Sequence, residues 1–99
     1  MKKILILGSK GFIGGHLSLF FAQKGYDVYN ADIVLDTHTK NYIQIVDNNF
    51  IPLFDNTYYD FCINCSGAAN VSLSFEYPAL DFLLNTYNVF QLLDLIRKN

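Results

Sequence analysis

Residues Lys2–Leu17, KKILILGSKGFIGGHL, decide the fold. A basic start ahead of apolar residues opens a secretory signal as readily as a buried strand. The run Ile4–Leu7 is cut off by Gly8, Ser9 and Lys10, however, whereas the apolar region of a signal needs roughly 7–15 uninterrupted residues. What remains is a strand running into a glycine-rich turn. Lys3–Leu7 has the continuous apolar character of a strand covered on both faces in a parallel sheet. From Phe12 the period becomes helical, with Ile13, Leu17, Phe20 and Phe21 in step, and Gly25 stands where a left-handed residue closes a helix.

Outward from that unit, Tyr26–Asp32 (YDVYNAD) reads as a second strand with an acid at its tip. Asp36–Asn41 is polar loop, and Tyr42–Asp47 (YIQIVD) is a third strand. No helix of normal length fits between the second and third strands. Asn48–Asp60 holds Pro52 among mixed polar and aromatic residues, so a short helical turn at most is expected there. Asp60–Ser66 is the fourth strand, and Gly67–Glu76 is small and polar. Pro78 then starts a long helix toward the C-terminus, proline being tolerated in a first turn where its missing N–H costs nothing. That helix is apolar nearly all round, with Leu80, Leu83, Leu84, Tyr87, Phe90 and Leu92 joined by Phe82, Val89, Leu93 and Ile96. It must bury more than one face, so further chain or a partner subunit is expected against it.

A chain of 99 residues that is 52% hydrophobic can bury the core of one small domain. A net charge of −2 without a basic run gives no electrostatic footprint for nucleic acid or an anionic membrane. The stretch around Phe20 and Phe21, bounded by His16 and Lys24, is far short of the about 20 apolar residues of a membrane span. A soluble protein is expected. Cys62 and Cys65 stand in C-x-x-C spacing, but inside YDFCINCSG, which reads as a strand, and a separation of three sends their thiols to opposite faces. No second cysteine or histidine pair completes a zinc site. Buried, reduced thiols and a cytoplasmic protein are therefore expected.

The chemistry lies at GSKGFIG, where Gly8, Gly11 and Gly14 join strand to helix. In a dinucleotide fold such glycines allow a tight turn, close approach of backbone amides to the pyrophosphate, and close packing of helix on sheet. The helix N-terminus, opening at Phe12 and Ile13, adds unpaired N–H groups and a positive dipole end for phosphate. Asp32, about twenty residues past the turn, is placed to accept hydrogen bonds from the adenosine ribose hydroxyls and to repel a 2′-phosphate. With no arginine in IVLDTHTK, and Lys40 the first cation after Asp32, NAD is favoured over NADP. His16 and His38 lack a partner at ligand or triad spacing; His16, near the helix start, is within range of a phosphate or is a surface imidazole. Ser72 and Ser74 have no base nearby in sequence.

GSKGFIG resembles the G-x-x-G-x-x-G cofactor motif of the extended short-chain dehydrogenase/reductase family, the NAD-dependent sugar epimerases and dehydratases. The similarity continues after the fourth strand. Asn64, Cys65, Ser66 and Gly67 fill the place of the family's H-x-A-A motif, and Val71, Ser74, Pro78 and Asn85 follow in its order and spacing. The departures are Asn64 for histidine, Ser66 and Gly67 for the alanine pair, and Asn88 for a common glycine. The resemblance implies a Rossmann-type α/β fold with about four parallel strands in the order 3-2-1-4 and helices on both faces. It implies NAD as cofactor, a nucleotide-sugar substrate, and homo-oligomers through the last helix. The implied cofactor-binding residues are Gly8, Gly11, Phe12, Ile13 and Gly14 at the turn, Asp32 and Ile33 after the second strand, Asp47 after the third, and Ser66, Gly67 and Ala68 after the fourth. Asp47, with Asn48 or Ile33 nearby, would lie at the adenine edge, or it caps a turn. Asn85 would hold active-site backbone.

The family's hydride chemistry uses a Tyr-x-x-x-Lys pair. Four places past the seven tyrosines stand Asn30, Ile33, Val46, Cys62, Ile63, Asp81 and Gln91, none of them lysine. A fifth and sixth strand are also absent. The expectation is that residues 1–99 are the N-terminal portion of a NAD(P)-binding Rossmann domain, with the remaining strands, substrate domain and catalytic pair elsewhere. The alternative is a non-catalytic dinucleotide-binding or sensor module.

Overall fold

The structure, a computed structural model, describes residues 1–55, 57–67 and 75–98. It divides into two compact units, Met1–Ser66 and Gly67–Asn99. The first is built on a four-stranded parallel sheet of β1 (Lys3–Leu7), β2 (Asp27–Asp32), β3 (Tyr42–Gln44) and β4 (Phe61–Asn64), in the order β3-β2-β1-β4. This is the expected 3-2-1-4 arrangement. β1 is central, and Leu5, Ile6 and Leu7 are wholly buried with Ile4 at 1% exposure. Burial of side chains of this size contributes about 1.5–3 kcal/mol each, so β1 anchors the unit. Leu7 pairs with Ala31 and with Asn64. Gly8, Asp32 and Cys65 therefore follow on one row at the carboxyl ends of three adjacent strands.

Helix α1 (Phe12–Gln23) returns the chain to β2. It ends as the sequence predicts: Gly25 adopts φ +88°, the Tyr26 amide donates to Phe21 O at 3.0 Å and the Gly25 amide to Ala22 O at 3.2 Å. This pair of bonds satisfies helix-end carbonyls, and it needs the left-handed residue that glycine supplies. Phe21 meets Tyr26 edge-on at 5.0 Å, while Ile13 and Phe20, expected on the apolar face, stay 64% and 50% exposed. The buried residue of α1 is Gly14; close approach to the strands runs along the glycines. Tyr29, which points to the opposite side of β2 from its neighbour Asn30, meets Tyr59 edge-on at 5.5 Å. Tyr59 in turn packs on Phe54 and donates its hydroxyl to Leu53 O at 2.7 Å. Leu53 ends and Phe54 caps the short helical turn expected near Pro52, here a 3-10 turn over Ile51–Leu53. They are buried with Phe50.

Three strands are shorter than the apolar spacing suggested. β2 starts at Asp27, and β4 gives up Asp60, Cys65 and Ser66, although the Asp60 and Cys65 amides still donate to Lys3 O and Leu7 O. β3 stops at Gln44, not Asp47. Ile45 is buried and its amide donates to Asp32 O at 2.8 Å, but Asp47 and Asn48 take φ of 52° and 55°, turning the chain away from the sheet. Two successive left-handed residues cannot continue a strand.

In the second unit the predicted long helix is found as three consecutive pieces. α2 (Pro78–Phe82) has proline in its first turn, residues Leu83–Tyr87 form a π turn, and α3 (Asn88–Lys98) completes it. A π turn inserts an extra residue into the helical ladder, so the apolar residues on either side of it do not share one straight stripe. Leu92 and Asn88 are buried, whereas Phe82, Phe90 and Leu93 are 57%, 65% and 59% exposed. Asp94 closes the helix end by ion pairs to Arg97 and Lys98. No helix of the described residues is long and apolar enough to cross a membrane.

Candidate functional site

The glycine turn is made by close backbone contacts that leave no room for side chains. Gly8 has φ +79°, and its amide donates to Ala31 O at 2.8 Å. A Cβ there would stand 2.7 Å from the Cys65 carbonyl carbon and 2.8 Å from the Ser66 nitrogen. At Gly14 a Cβ would stand 2.1 Å from Gly8 O. Gly8 therefore lets β1 and β4 converge at their tips, and Gly14 lets α1 start directly against the turn.

Gly11 is the residue that opens α1, with φ −81° and ψ 175°. It offers no side-chain cap, and no acid stands in the first turn. The first ladder bond into this end is the Gly15 amide to Gly11 O, 2.9 Å. The amides of Phe12, Ile13 and Gly14 thus precede the helical ladder, as orphan donors at the positive end of a helix. Phe12 and Ile13 are exposed; Phe12 packs against the His16 ring, whose Nδ1 lies 2.7 Å from Phe12 O.

Asp32 ends β2 beside this turn. Its Oδ2 accepts the Lys10 amide at 2.8 Å and its Oδ1 accepts the Ile33 amide at 2.7 Å. A carboxylate has about four acceptor positions, so one lone pair on each oxygen is left for further donors such as ribose hydroxyls. Ile33 is exposed and its carbonyl accepts the Gln44 amide group at 3.1 Å. Asp47 is exposed in the turn that ends β3. At the β4 tip, Asn64 Oδ1 accepts both the amide (3.0 Å) and the hydroxyl of Ser66, so the asparagine in the histidine position fixes Ser66. The first unit thus brings Gly8, Gly11, Phe12, Ile13, Gly14, Asp32 and Ser66 to one end of the sheet.

In the second unit Gly67 has φ +138°, and a Cβ on it would meet Asn85 Oδ1 at 2.6 Å. The Asn85 side-chain amide donates to Asp81 at 3.0 Å. Asn85 is thus packed against Gly67. Ala68, Val71, Ser72 and Ser74 lie outside the described residues.

Cys62 and Cys65 are unpaired and half-buried rather than fully buried. Burial still pushes the Cys62 thiol up to about 11, which leaves it a poor nucleophile and metal ligand at neutral pH. Among the described residues no group of three or more histidine, cysteine or acidic side chains could hold a metal ion.

Two features were not found by sequence reasoning. The cation beside the tip of β2 is Lys10, not Lys40: the Lys10 ammonium forms an ion pair with Asp36 and lies 5.0 Å from the centre of the Tyr42 ring. Asp36 Oδ1 also accepts the amides of His38 and Thr39, and its Oδ2 accepts the Thr39 hydroxyl. The Lys10 bond and these others hold its carboxyl well below the usual carboxylate range. Burial, with the charges of Asp32 and Asp36, pushes the Tyr42 phenol up, and its hydroxyl donates to Val34 O. Beside this cluster a cleft of mixed character is lined by Ser9, Lys10, Gly15, Ser18, Leu19, Asn30, Thr39 and Tyr42. There the buried Ser9 Oγ and Asn30 Oδ1 have no hydrogen-bond partner among the described residues.

A family model described as "NAD dependent epimerase/dehydratase family" matches residues 4–99. Among curated proteins none matches the chain. Solved structures do. One described as UDP-glucose 4-epimerase superposes with a TM-score of 0.84 at 23% identity, over 98% of this chain and 32% of its own. Pal from Bacillus thuringiensis gives 0.84 at 26% identity, over 97% of this chain and 36% of its own. A UDP-glucose-4-epimerase from Stenotrophomonas maltophila, with bound NAD and formylated UDP-arabinopyranose, gives 0.82 at 18% identity over 98% and 34%. The chain spans about a third of the length of these structures.

Proposed function

The chain belongs to the NAD dependent epimerase/dehydratase family, and from that premise we propose that its residues hold the adenosine-diphosphate half of NAD in an oxidoreductase acting on a nucleotide sugar. The amides of Phe12, Ile13 and Gly14 meet the pyrophosphate, and Gly8 and Gly11, whose own amides donate to Ala31 O and Gly8 O, shape the turn that presents them. Asp32 accepts from the adenosine ribose, Ile33 and Asp47 border the adenine, and Ser66, with Gly67 by the family resemblance, leaves room for the cofactor at the β4 tip. When bound, the nicotinamide supplies reversible hydride transfer. The tyrosine and lysine that move the accompanying proton lie outside these 99 residues, and the protein is cytoplasmic and pairs through its last helix.

One observation carries this reading. The N-terminus of α1 carries no side-chain cap, and its turn is hydrogen-bonded through the Lys10 amide to the carboxylate at the next strand's tip. Phosphate donors and a ribose acceptor are thereby fixed relative to one another before ligand arrives, which lowers the ordering cost of binding. Calorimetric titration of the full chain with NAD and NADP tests it. NAD is expected to bind in preference, and Asp32→Ala to weaken NAD by about 10–100-fold, the size of a hydrogen bond to a charged group. Absence of binding by either nucleotide overturns it.

The second reading is a dinucleotide-binding or sensor module without turnover. It predicts NAD binding with no hydride transfer from any nucleotide sugar.

A further inference from the structure

The pair formed by Lys10 and Asp36 lies outside the residues assigned to the cofactor, yet it governs the charge at the tip of β2. Asp32 holds the Lys10 amide at 2.8 Å, so the Lys10 side chain departs one hydrogen bond away from the carboxylate that reads the ribose. An ammonium in that place is the natural counterion of a phosphate on the ribose 2′ oxygen, since phosphate oxygens form their strongest contacts with cationic donors. Here the ammonium is engaged. It is paired with Asp36 and rests near the Tyr42 ring.

Asp36 is itself fixed. Three donors from His38 and Thr39 hold both of its oxygens in place, and its side chain is only 11% exposed. Drawing Lys10 away leaves this carboxylate to neutral donors alone, without its counter-charge. The cluster therefore presents one cation against two carboxylates, Asp32 and Asp36. A dianionic 2′-phosphate meets a site of net negative charge, whereas a ribose with free hydroxyls meets only an acceptor.

We propose that Asp36 determines the nucleotide preference of this site by masking Lys10, so that dinucleotides bearing a 2′-phosphate are refused and removal of the charge at position 36 admits them. The inference rests on the dinucleotide site proposed above. It goes beyond that reading by assigning the selectivity to a residue that touches neither ribose nor phosphate, so Asp36 is a positioning residue.

The test is titration of the full chain with NAD, NADP and adenosine 2′,5′-bisphosphate, for the wild type, Asp36→Asn, and Asp36→Asn combined with Lys10→Ala. Asparagine keeps the Oδ1 acceptor for the His38 and Thr39 amides while removing the charge. Asp36→Asn is expected to tighten NADP and the bisphosphate by about tenfold, the size of one partly screened charge-assisted contact, with NAD changed by less than about twofold. The added Lys10→Ala should abolish that gain, and raised salt should diminish it. If Asp36→Asn fails to fold, Asp36→Ser carries the same comparison. The masking is overturned if the wild type binds NAD while the variant gains nothing for NADP or the bisphosphate, if NAD gains equally, or if the gain survives loss of Lys10. A wild type that binds none of the three ligands overturns both this inference and the dinucleotide site.

Discussion

Gly14→Ala sets two physical expectations against each other. Gly14 lies within α1, and alanine in a helix interior is favoured over glycine by about 1 kcal/mol; propensity alone predicts a more stable protein. Packing predicts the reverse. The added Cβ would stand 2.1 Å from Gly8 O, 2.8 Å from Gly8 C and 3.0 Å from Ser9 Cα. All three are backbone atoms of a turn tied to Ala31 O through the Gly8 and Ser9 amides. Overpacking costs about 1–3 kcal/mol where neighbours can shift, and a rigid backbone contact this short belongs at the upper end. Subtracting the propensity gain leaves a net loss of about 2 kcal/mol, or a fall in Tm of roughly 8–16 °C for a domain of this size. Gly15→Ala is the internal control. Its Cβ would come no nearer than 3.4 Å, to Ser9 O, so the propensity term should dominate and stability should rise by up to about 1 kcal/mol. Urea unfolding of the two variants, with the slope checked against wild type, reads both signs. A Gly14→Ala protein as stable as wild type would refute the claim that this glycine is required by packing of α1 on the turn.

Cys62 should react slowly with a thiolate-selective disulfide reagent. In Cys65→Ser the remaining thiol should be sluggish near pH 8 and quicken as pH approaches about 11, and rapid modification near pH 8 would contradict the burial described. Because the folded-state value is raised, the contribution of this thiol to stability is complete below its ordinary pKa and is lost as pH rises through about 11. Phe82, Phe90 and Leu93 leave a large exposed apolar area in the second unit, so size-exclusion chromatography should show association that rises with concentration and falls in Phe90→Glu. A monodisperse monomer at high concentration would contradict the proposed pairing through this helix.

Much of the site was legible because it rests on short-range rules. The change from a continuous apolar run to helical spacing across GSKGFIG located both β1 and α1, and Gly25 marked the end of α1 because few residues accept its φ. Asp32 was found at the tip of β2 for a similar reason: strand ends and acid position are set locally. β3 was overestimated because YIQIVD alternates well enough for six residues, and only the left-handed pair Asp47 and Asn48 ends it. Asparagine and aspartate are residues that accept this conformation, so the signal was present but carried no direction. The π turn at Leu83–Tyr87 had no signature in a segment that is helical on both sides. Lys10 has no role in the sequence reading because its partner, Asp36, lies 26 residues away. The parallel pairing of β1 and β2, which brings the two together, is a property of the fold.

Whether the turn Gly8–Gly14 and the carboxylate of Asp32 form one nucleotide site is read by following backbone amide resonances of the full chain during titration with NAD. Saturable shifts are expected to concentrate at Gly11, Phe12, Ile13 and Gly14, with a second group at Lys10 and Ile33, whose amides donate to Asp32. Shifts that are absent, or that saturate elsewhere while these amides stay unmoved, would contradict that site.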